Sequence, residues 1–179
     1  MHKRMLIQAA TALVALQFFA VPVFAAGSSG GGSDQTVTQC KKGEVWDKKK
    51  KKCVVPGQSF LDDDSIYESG RDLALLGRFD EAITILSLAH DKTDPRVLNY
   101  LGYAHRKAGR VLVGLGYYQE ALRSDPDYAL VREYLGEAHL QLGDVAAARN
   151  QLDEIKKRCG TGCSEYTELS AQIDAFVKG

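Results

Sequence analysis

Four cysteines have the most distinctive chemistry in this chain. They occur as two local pairs, Cys40 with Cys53 and Cys159 with Cys163. Four thiols allow three pairings, and the turn-like residues within each pair favour the two local disulfides. Zinc is the alternative, but thiolate zinc sites usually have a tighter Cys-x2-Cys spacing, and no histidine lies next to either pair. We therefore expect disulfides and an oxidising compartment.

A run of lysines near the single tryptophan is the most concentrated charge in the chain. The residues are Trp46, Lys48, Lys49, Lys50, Lys51 and Lys52. One interpretation is attraction to an envelope polyanion or lipid headgroups, with Trp46 as an amphipathic contact or as a platform for a glycan. The other is a solubilising loop on a hairpin whose only core residue is Trp46. Across the whole chain 23 basic residues balance 23 acidic ones, so a chain-wide basic surface for nucleic acid is absent.

No arrangement of residues in the sequence predicts catalysis. Asp62, Asp63 and Asp64 precede a helical pattern, where capping and the helix dipole explain carboxylates. The chain has no nucleophile elbow, phosphate loop, metalloprotease pair or dinucleotide fingerprint. His105 and His139 are 34 residues apart, and we expect packing residues that are too distant to share a metal. We therefore expect no enzyme, no cofactor and no metal site.

The first residues have the layout of a secretory signal. Residues 1–25 begin with a basic His-Lys-Arg stretch, continue as an almost wholly apolar run and end in small residues, with cleavage expected after Ala25. The alternative is an uncleaved anchor, since about 20 apolar residues can span a bilayer, but Pro22 favours removal. We expect a periplasmic or secreted protein that has no stable membrane span after cleavage.

Two short segments separate the signal from the rest of the chain. Residues 26–39 are rich in glycine and serine, which predicts a flexible linker. Residues 40–56 contain two short extended pieces around a turn, which predicts a hairpin closed by the Cys40–Cys53 disulfide. In the chain-entropy model this crosslink contributes about 3 kcal/mol, which so small a unit does not gain from burial alone.

From Asp62 onward, small residues recur with a period close to 34 residues. Two sets of glycines, seven residues apart, share this period: Gly70, Gly102 and Gly136, then Gly77, Gly109 and Gly143. A set of small residues and a set of larger apolar residues keep the same register: Ala82, Gly114 and Ala148, then Leu86, Tyr118 and Leu152. Paired amphipathic segments with this period predict a stacked array rather than a compact bundle.

This pattern resembles the tetratricopeptide-repeat family, whose units read Trp-x2-Leu-Gly-x2-Tyr, Ala-x3-Phe and Pro. The matching segments are Leu98-x2-Leu101-Gly102-x2-His105 with Ala121 and Asp125-Pro126, and Leu135-Gly136-x2-His139 with Ala148-x3-Leu152. The first unit, with Gly70 and Ala82, is a weaker match. The resemblance covers residues 62–158 and implies three repeats, at about 63–94, 95–126 and 129–160.

The expected fold is an all-α, right-handed superhelix of three helix pairs. We expect helices at about 63–76, 79–90, 95–108, 111–124, 127–142 and 145–158. Asp94-Pro95 and Asp125-Pro126 would begin the second and third pairs, with aspartate as the cap and proline in the first turn. Residues 164–179 would form a capping helix over the apolar end of the array. Its apolar face would carry Tyr166, Leu169, Ile173 and Phe176 or Val177.

The resemblance also implies a groove lined by the first helix of each pair. Its outward-facing residues would be Tyr67, Arg71, Asn99, Tyr103, Arg106, Leu130, Glu133, Glu137 and Leu140. Such a groove suits a protein or peptide, with aromatic and arginine contacts at one end and carboxylates at the other. A solvated face of mixed charge is the alternative for any one residue. We expect a non-enzymatic scaffold for a protein or peptide, and a glycan- or polyanion-binding hairpin is the second hypothesis.

Overall fold

The computed structural model describes residues 40–57 and 60–179. The predicted signal peptide at 1–25 and linker at 26–39 lie outside them. The described chain forms a two-stranded hairpin, β1 (Val45–Asp47) and β2 (Lys52–Val54), followed by helices. These are α1 (Asp63–Leu75), α2 (Phe79–Leu86), α3 (Pro95–Lys107), α4 (Val111–Ser124), α5 (Ala129–Gln141), α6 (Val145–Cys159) and α7 (Ser164–Lys178). Among the described helices, none has the length and apolar character that crossing a membrane requires.

The helices pack as three consecutive pairs that stack side by side. α1 packs with α2, α3 with α4 and α5 with α6, and each second helix also contacts the first helix of the next pair. The first helices contact one another in order, α1 with α3 and α3 with α5. α7 packs on both α5 and α6, where the first helix of a fourth pair would lie. The predicted superhelix of three helix pairs with a capping helix is therefore confirmed.

The recurring glycines do two different things. Gly77, Gly109 and Gly143 follow the first helices with φ of 77°, 84° and 78°, in the left-handed region that glycine adopts most easily. Gly102 and Gly114 instead let α3 and α4 approach closely. An ideal Cβ on Gly114 would lie 2.8 Å from the carbonyl oxygen of Gly102, which is closer than real Cβ atoms come. The backbones of this pair are therefore in direct contact.

The hairpin closes one end of the array through two valines. Val45 pairs with Val54 across the strands, and both are buried in one cluster with Ile66, Leu73 and other residues of the first helix pair. Trp46 is only half-buried, because successive side chains of a strand point to opposite faces. The expectation that Trp46 is the hairpin's only core residue is therefore wrong.

α2 is shorter than the sequence predicts. It ends at Leu86 instead of residue 90. The carboxylate of Asp63 accepts hydrogen bonds from the backbone N–H groups of His90 and Asp91, at 2.8 and 2.9 Å. Because these N–H groups bind Asp63 of α1, residues 90 and 91 do not continue the helix.

The two Asp-Pro steps behave differently. Asp94 caps α3 as predicted and accepts a hydrogen bond from the backbone of Arg96 at 2.8 Å. Asp125 does not begin a helix, because its carboxylate accepts from the backbone N–H of Asp127 at 3.0 Å. This local turn delays α5 to Ala129, so the predicted start near residue 127 is wrong.

The cysteines form the two local disulfides. Cys40 is bonded to Cys53, and Cys159 is bonded to Cys163. The first closes the base of the hairpin. The second spans the turn between α6 and α7, where Gly160 ends α6 and Cys163 lies just before α7. Each crosslink therefore lies at one end of the helical array.

Candidate binding groove

The candidate groove follows the first helices of the three pairs. The predicted residues lie on α1 (Tyr67, Arg71), on α3 (Asn99, Tyr103, Arg106) and on α5 (Leu130, Glu133, Glu137, Leu140). On α3 and α5 they recur at spacings of three and four residues, which place side chains on one face of a helix. The contacts described below link this face across the units. α7 continues it beyond α5.

A chain of tyrosines connects the three units. The ring centroids are 5.9 Å apart for Tyr67 and Tyr100, 6.0 Å for Tyr100 and Tyr103, and 5.1 Å for Tyr103 and Tyr134. Burial raises the pKa of Tyr100 to about 12 and also raises the pKa of Tyr134. These hydroxyls therefore keep their protons and can donate hydrogen bonds. Tyr100 and Tyr134 are not among the predicted groove residues, although they are one repeat period apart.

Arg106 forms part of the groove floor. The residue is only 3% exposed, and its Nε donates to the Tyr118 hydroxyl at 3.2 Å. Its guanidinium forms an ion pair with the Glu137 carboxylate and lies over the rings of Tyr103 and Tyr134, at 5.6 and 5.7 Å. Arg106 therefore joins α3, α4 and α5 instead of pointing outward as the sequence suggested.

The two arginines whose guanidinium groups lie over the Tyr67 ring, Arg71 and Arg96, are also paired within the chain. Nε and Nη2 of Arg71 donate to Asp72 at 2.9 and 2.7 Å. Arg96 forms ion pairs with Asp94 at 2.7 Å and with Asp64 at 3.0 Å. The positive charge that the sequence placed at this end of the groove is therefore balanced by neighbouring carboxylates.

Two largely buried polar side chains of the groove have no partner among the described residues. Asn99 is completely buried, and neither atom of its amide has a hydrogen-bond partner among the described residues. Glu133 is 7% exposed and has no hydrogen bond or ion pair to any other described side chain. Burial, and then the carboxylates of Glu137, Glu165 and Glu168, raise the pKa of Glu133 to about 7. A buried polar group without a partner costs free energy. The Asn99 amide is closed off from solvent, whereas the Glu133 oxygens keep some contact with it.

An open cleft lies where α3, α5 and α7 meet. Its volume is 370 Å³, within the range of about 300–1,000 Å³ that is typical of ligand sites. The Arg106–Glu137 pair lines it together with the apolar side chains of Leu140 and Phe176, and Lys107 from α3 also lines it. Phe176 is 48% exposed. The cleft therefore combines charge with accessible apolar surface.

α7 contributes to this cleft as well as capping the array. Gln172 donates to Glu137 at 2.6 Å and thus fixes the second carboxylate oxygen. Ala175 and Phe176 form one wall. The sequence predicted only a capping role for α7. Phe176 or Val177 was expected on its buried face, but both are exposed.

The lysine run is partly paired within the chain. Lys48 contacts Glu68 at 2.6 Å, Lys49 contacts Asp62 at 3.3 Å, and Lys50 contacts Asp47 at 3.0 Å. Two of these contacts join the hairpin to α1 and its cap, and the third lies within the hairpin. Fewer of the run's charges are free for an external polyanion than the sequence suggested, and no contact in the described residues points to a glycan.

The comparisons with known proteins gave one family and several structures. Residues 101–161 match a family model described as tetratricopeptide repeat. No curated protein matches the chain by sequence.

Three similar solved structures contain a bound peptide or protein segment. The first TPR of Spaghetti (RPAP3), bound to the HSP90 peptide SRMEEVD, has a TM-score of 0.57 and 17% identity, and the match covers 66% of this chain and 94% of that one. The Yersinia enterocolitica type III secretion chaperone SycD, in complex with a peptide of the translocator YopD, has a TM-score of 0.55, 20% identity and coverages of 64% and 88%. PcrH, in complex with the chaperone binding region of PopB, has a TM-score of 0.53, 23% identity and coverages of 64% and 93%.

At these identities the structures share a fold with this chain. The family match supports the same assignment through the sequence of the second and third helix pairs. Together they show that the helical array has the tetratricopeptide-repeat fold, and residues 101–161 also match the family by sequence.

Proposed function

We propose that this protein is a non-enzymatic scaffold that binds a protein or peptide in the groove of its repeat array. The observation that carries this proposal is the cleft between α3, α5 and α7. It offers exposed apolar surface at Phe176 and a polar floor at the Arg106–Glu137 pair. Peptide interfaces combine apolar anchors with a small number of fixed polar groups. The peptides and protein segments bound to Spaghetti, SycD and PcrH support the same function for this chain.

The cleft is tested by selecting ligands and then removing one wall. Random peptides displayed on phage are selected on the protein, and their affinities are measured by fluorescence anisotropy. We expect Phe176→Ser to weaken binding by about tenfold or more, since truncation of an aromatic anchor costs at least about 1–2 kcal/mol. Leu112→Ser is the matched control, because Leu112 is a 73% exposed apolar residue on α4 that does not line the cleft.

The two variants separate loss of the site from loss of the fold. Both replace exposed side chains, so both should keep the helical circular dichroism spectrum of the wild type. If Phe176→Ser and Leu112→Ser bind the selected peptides as tightly as the wild type, the cleft is not the binding site.

We further propose that the protein is exported to the bacterial periplasm or beyond. The basic and apolar start of the sequence and the two disulfides support this location, because disulfides persist in oxidising compartments. Mass spectrometry of the protein from a fractionated bacterium should find a chain that begins at Ala26 and contains both disulfides. A full-length, reduced chain confined to the cytoplasmic fraction would contradict export.

A further inference from the structure

The charges of the groove are unequally paired. Arg71, Arg96 and Arg106 each have a carboxylate partner within the chain. Glu137 is also fully engaged, since Arg106 and Gln172 each bind one of its oxygens. Glu133 has no such partner among the described residues. The groove therefore contains a largely buried carboxyl group that forms no ion pair or hydrogen bond with another side chain of the described residues.

We propose that the groove selects a ligand with a cationic side chain, an arginine or a lysine, which binds at the carboxyl group of Glu133. This inference rests on the proposed function and adds the charge of the peptide to it. Three further features of the structure support it: the position of Glu133 on α5, the unpaired amide of Asn99 and the distribution of charges around them.

Glu133 is within reach of a ligand that occupies the cleft. It lies four residues before Glu137, on the same face of α5, and one helical turn is about 5.4 Å. A peptide seated over Glu137 and Phe176 can therefore place a long side chain at Glu133. Arginine and lysine have this reach.

Asn99 supplies a second, independent unpaired group. It lies 34 residues before Glu133, at the corresponding position of α3, and α3 contacts α5 directly. Its amide oxygen can accept a hydrogen bond from a guanidinium or an ammonium group. The Asn99 amide is completely buried in the free protein, so we expect α3 and α5 to separate slightly when a cation bound at Glu133 contacts it.

The surrounding charges favour a cation at this position. The carboxylates that face Glu133 are Glu137 on its own helix and Glu165 and Glu168 on α7, and the facing cation is Arg106 on α3. Arg106 is already paired with Glu137. Lys107, the other cation of the cleft, lies on α3 at the position equivalent to Gln141 of α5. Gln141 is eight residues beyond Glu133, which corresponds to about 12 Å along the helix axis. The local balance at Glu133 is therefore negative.

Binding would change the protonation state of Glu133. In the free protein its pKa of about 7 keeps much of this carboxyl group neutral near pH 7. A bound cation stabilises the carboxylate, so the proton leaves to solvent as the ion pair forms. Selectivity for the cation should therefore be strong at pH 8 and weak at pH 5.

The test compares two blocked pentapeptides that contain the same apolar residues and differ at one position, arginine or its neutral isostere citrulline. Each is titrated into the ¹⁵N-labelled protein and followed by NMR. At pH 8 we expect the arginine peptide to bind about tenfold or more tightly than the citrulline peptide, as is typical of a hydrogen bond between charged groups. Glu133→Gln should abolish this difference. Glu120→Gln, on the exposed surface of α4, should keep it.

The wild-type protein provides a second measurement that does not depend on a variant. Lowering the pH from 8 to 5 should remove most of the preference for arginine. If both peptides shift the amide signals of α5 and α7 with equal affinity at pH 8, the groove binds peptides but does not select a cation, and this inference is overturned alone. If neither peptide shifts those signals at millimolar concentration, while phage-selected peptides still bind, the inference also falls and the proposed function stands.

Discussion

Glu133 links the pH to the stability of the third helix pair. Its pKa rises from 4.5 to about 7 in the folded protein, so the folded state holds the proton more tightly than the unfolded chain does. The resulting stabilisation is fully present below pH 4.5 and is lost as the pH rises through 7. This residue therefore lowers the free energy of unfolding at neutral and alkaline pH.

We predict that Glu133→Gln stabilises the protein at high pH. A neutral amide avoids the burial of an unpaired charge, so the free energy of unfolding at pH 8 should rise by about 1–3 kcal/mol. At pH 4 the variant and the wild type should differ little, because Glu133 is then protonated in both states. Urea unfolding at the two pH values measures the effect. Glu120→Gln should change little at either pH, and an equal gain at both pH values for Glu133→Gln would exclude titration as its cause.

Single residues of the groove were predictable in position but not in burial. The helical spacing places Asn99, Tyr103 and Arg106 on one face of α3, and the structure keeps them there. Whether Arg106 points outward depends on partners from other helices, Tyr118 and Glu137. The sequence of α3 contains no signal for those partners. Tyr100 and Tyr134 did carry such a signal, because they share the repeat period.

At the scale of helices, the contact between α3 and α4 depends on the absence of a side chain at Gly114. We predict that Gly114→Ala destabilises the protein by about 1–3 kcal/mol, because the new Cβ would overlap the carbonyl oxygen of Gly102. Gly116→Ala is the matched control on the same helix, since nothing lies within 4 Å of its Cβ position. That substitution should stabilise α4 by roughly 0.5–1 kcal/mol through helix propensity. Thermal unfolding of both variants checks the prediction, and a neutral Gly114→Ala would show that the two helices can separate freely.

Helix ends were predictable where a local residue determines them. Gly77, Gly109 and Gly143 end the first helices, since their backbone conformation is a property of glycine itself. The end of α2 depends instead on the carboxylate of Asp63, 27 residues earlier, and hydrophobic periodicity contains no information about that contact. The prediction of where α5 starts was wrong for a different reason. Asp125 can cap a helix or close a turn, and here it closes a turn with Asp127.

Along its length the array has three successive buried clusters and two different ends. The first cluster includes Val45 and Val54 of the hairpin, the second lies between the second and third helix pairs, and the third is formed by α5, α6 and α7. The repeat period predicted the stacking. It could not predict how the ends are closed, because the hairpin and α7 lie outside the repeats.

Leu169 offers a test of how independently the two ends unfold. Its side chain is fully buried, and an ideal Cβ on Gly136 would lie 2.6 Å from its Cδ2, so it fills the space above α5. We predict that Leu169→Ala lowers the free energy of unfolding by about 2–5 kcal/mol. Phe176→Ala, on the same helix but half-exposed, should change it by about 0.5 kcal/mol or less.

The location of this loss is more informative than its size. In a stacked array each helix pair is stabilised mainly by its nearest neighbours, so hydrogen exchange should accelerate most in α5, α6 and α7 and least in α1 and α2. The amides of the hairpin should keep their protection, because Val45 and Val54 pack on the opposite end. Equal acceleration in all helices would mean that the array unfolds as one cooperative unit, with α7 supporting the groove along its whole length.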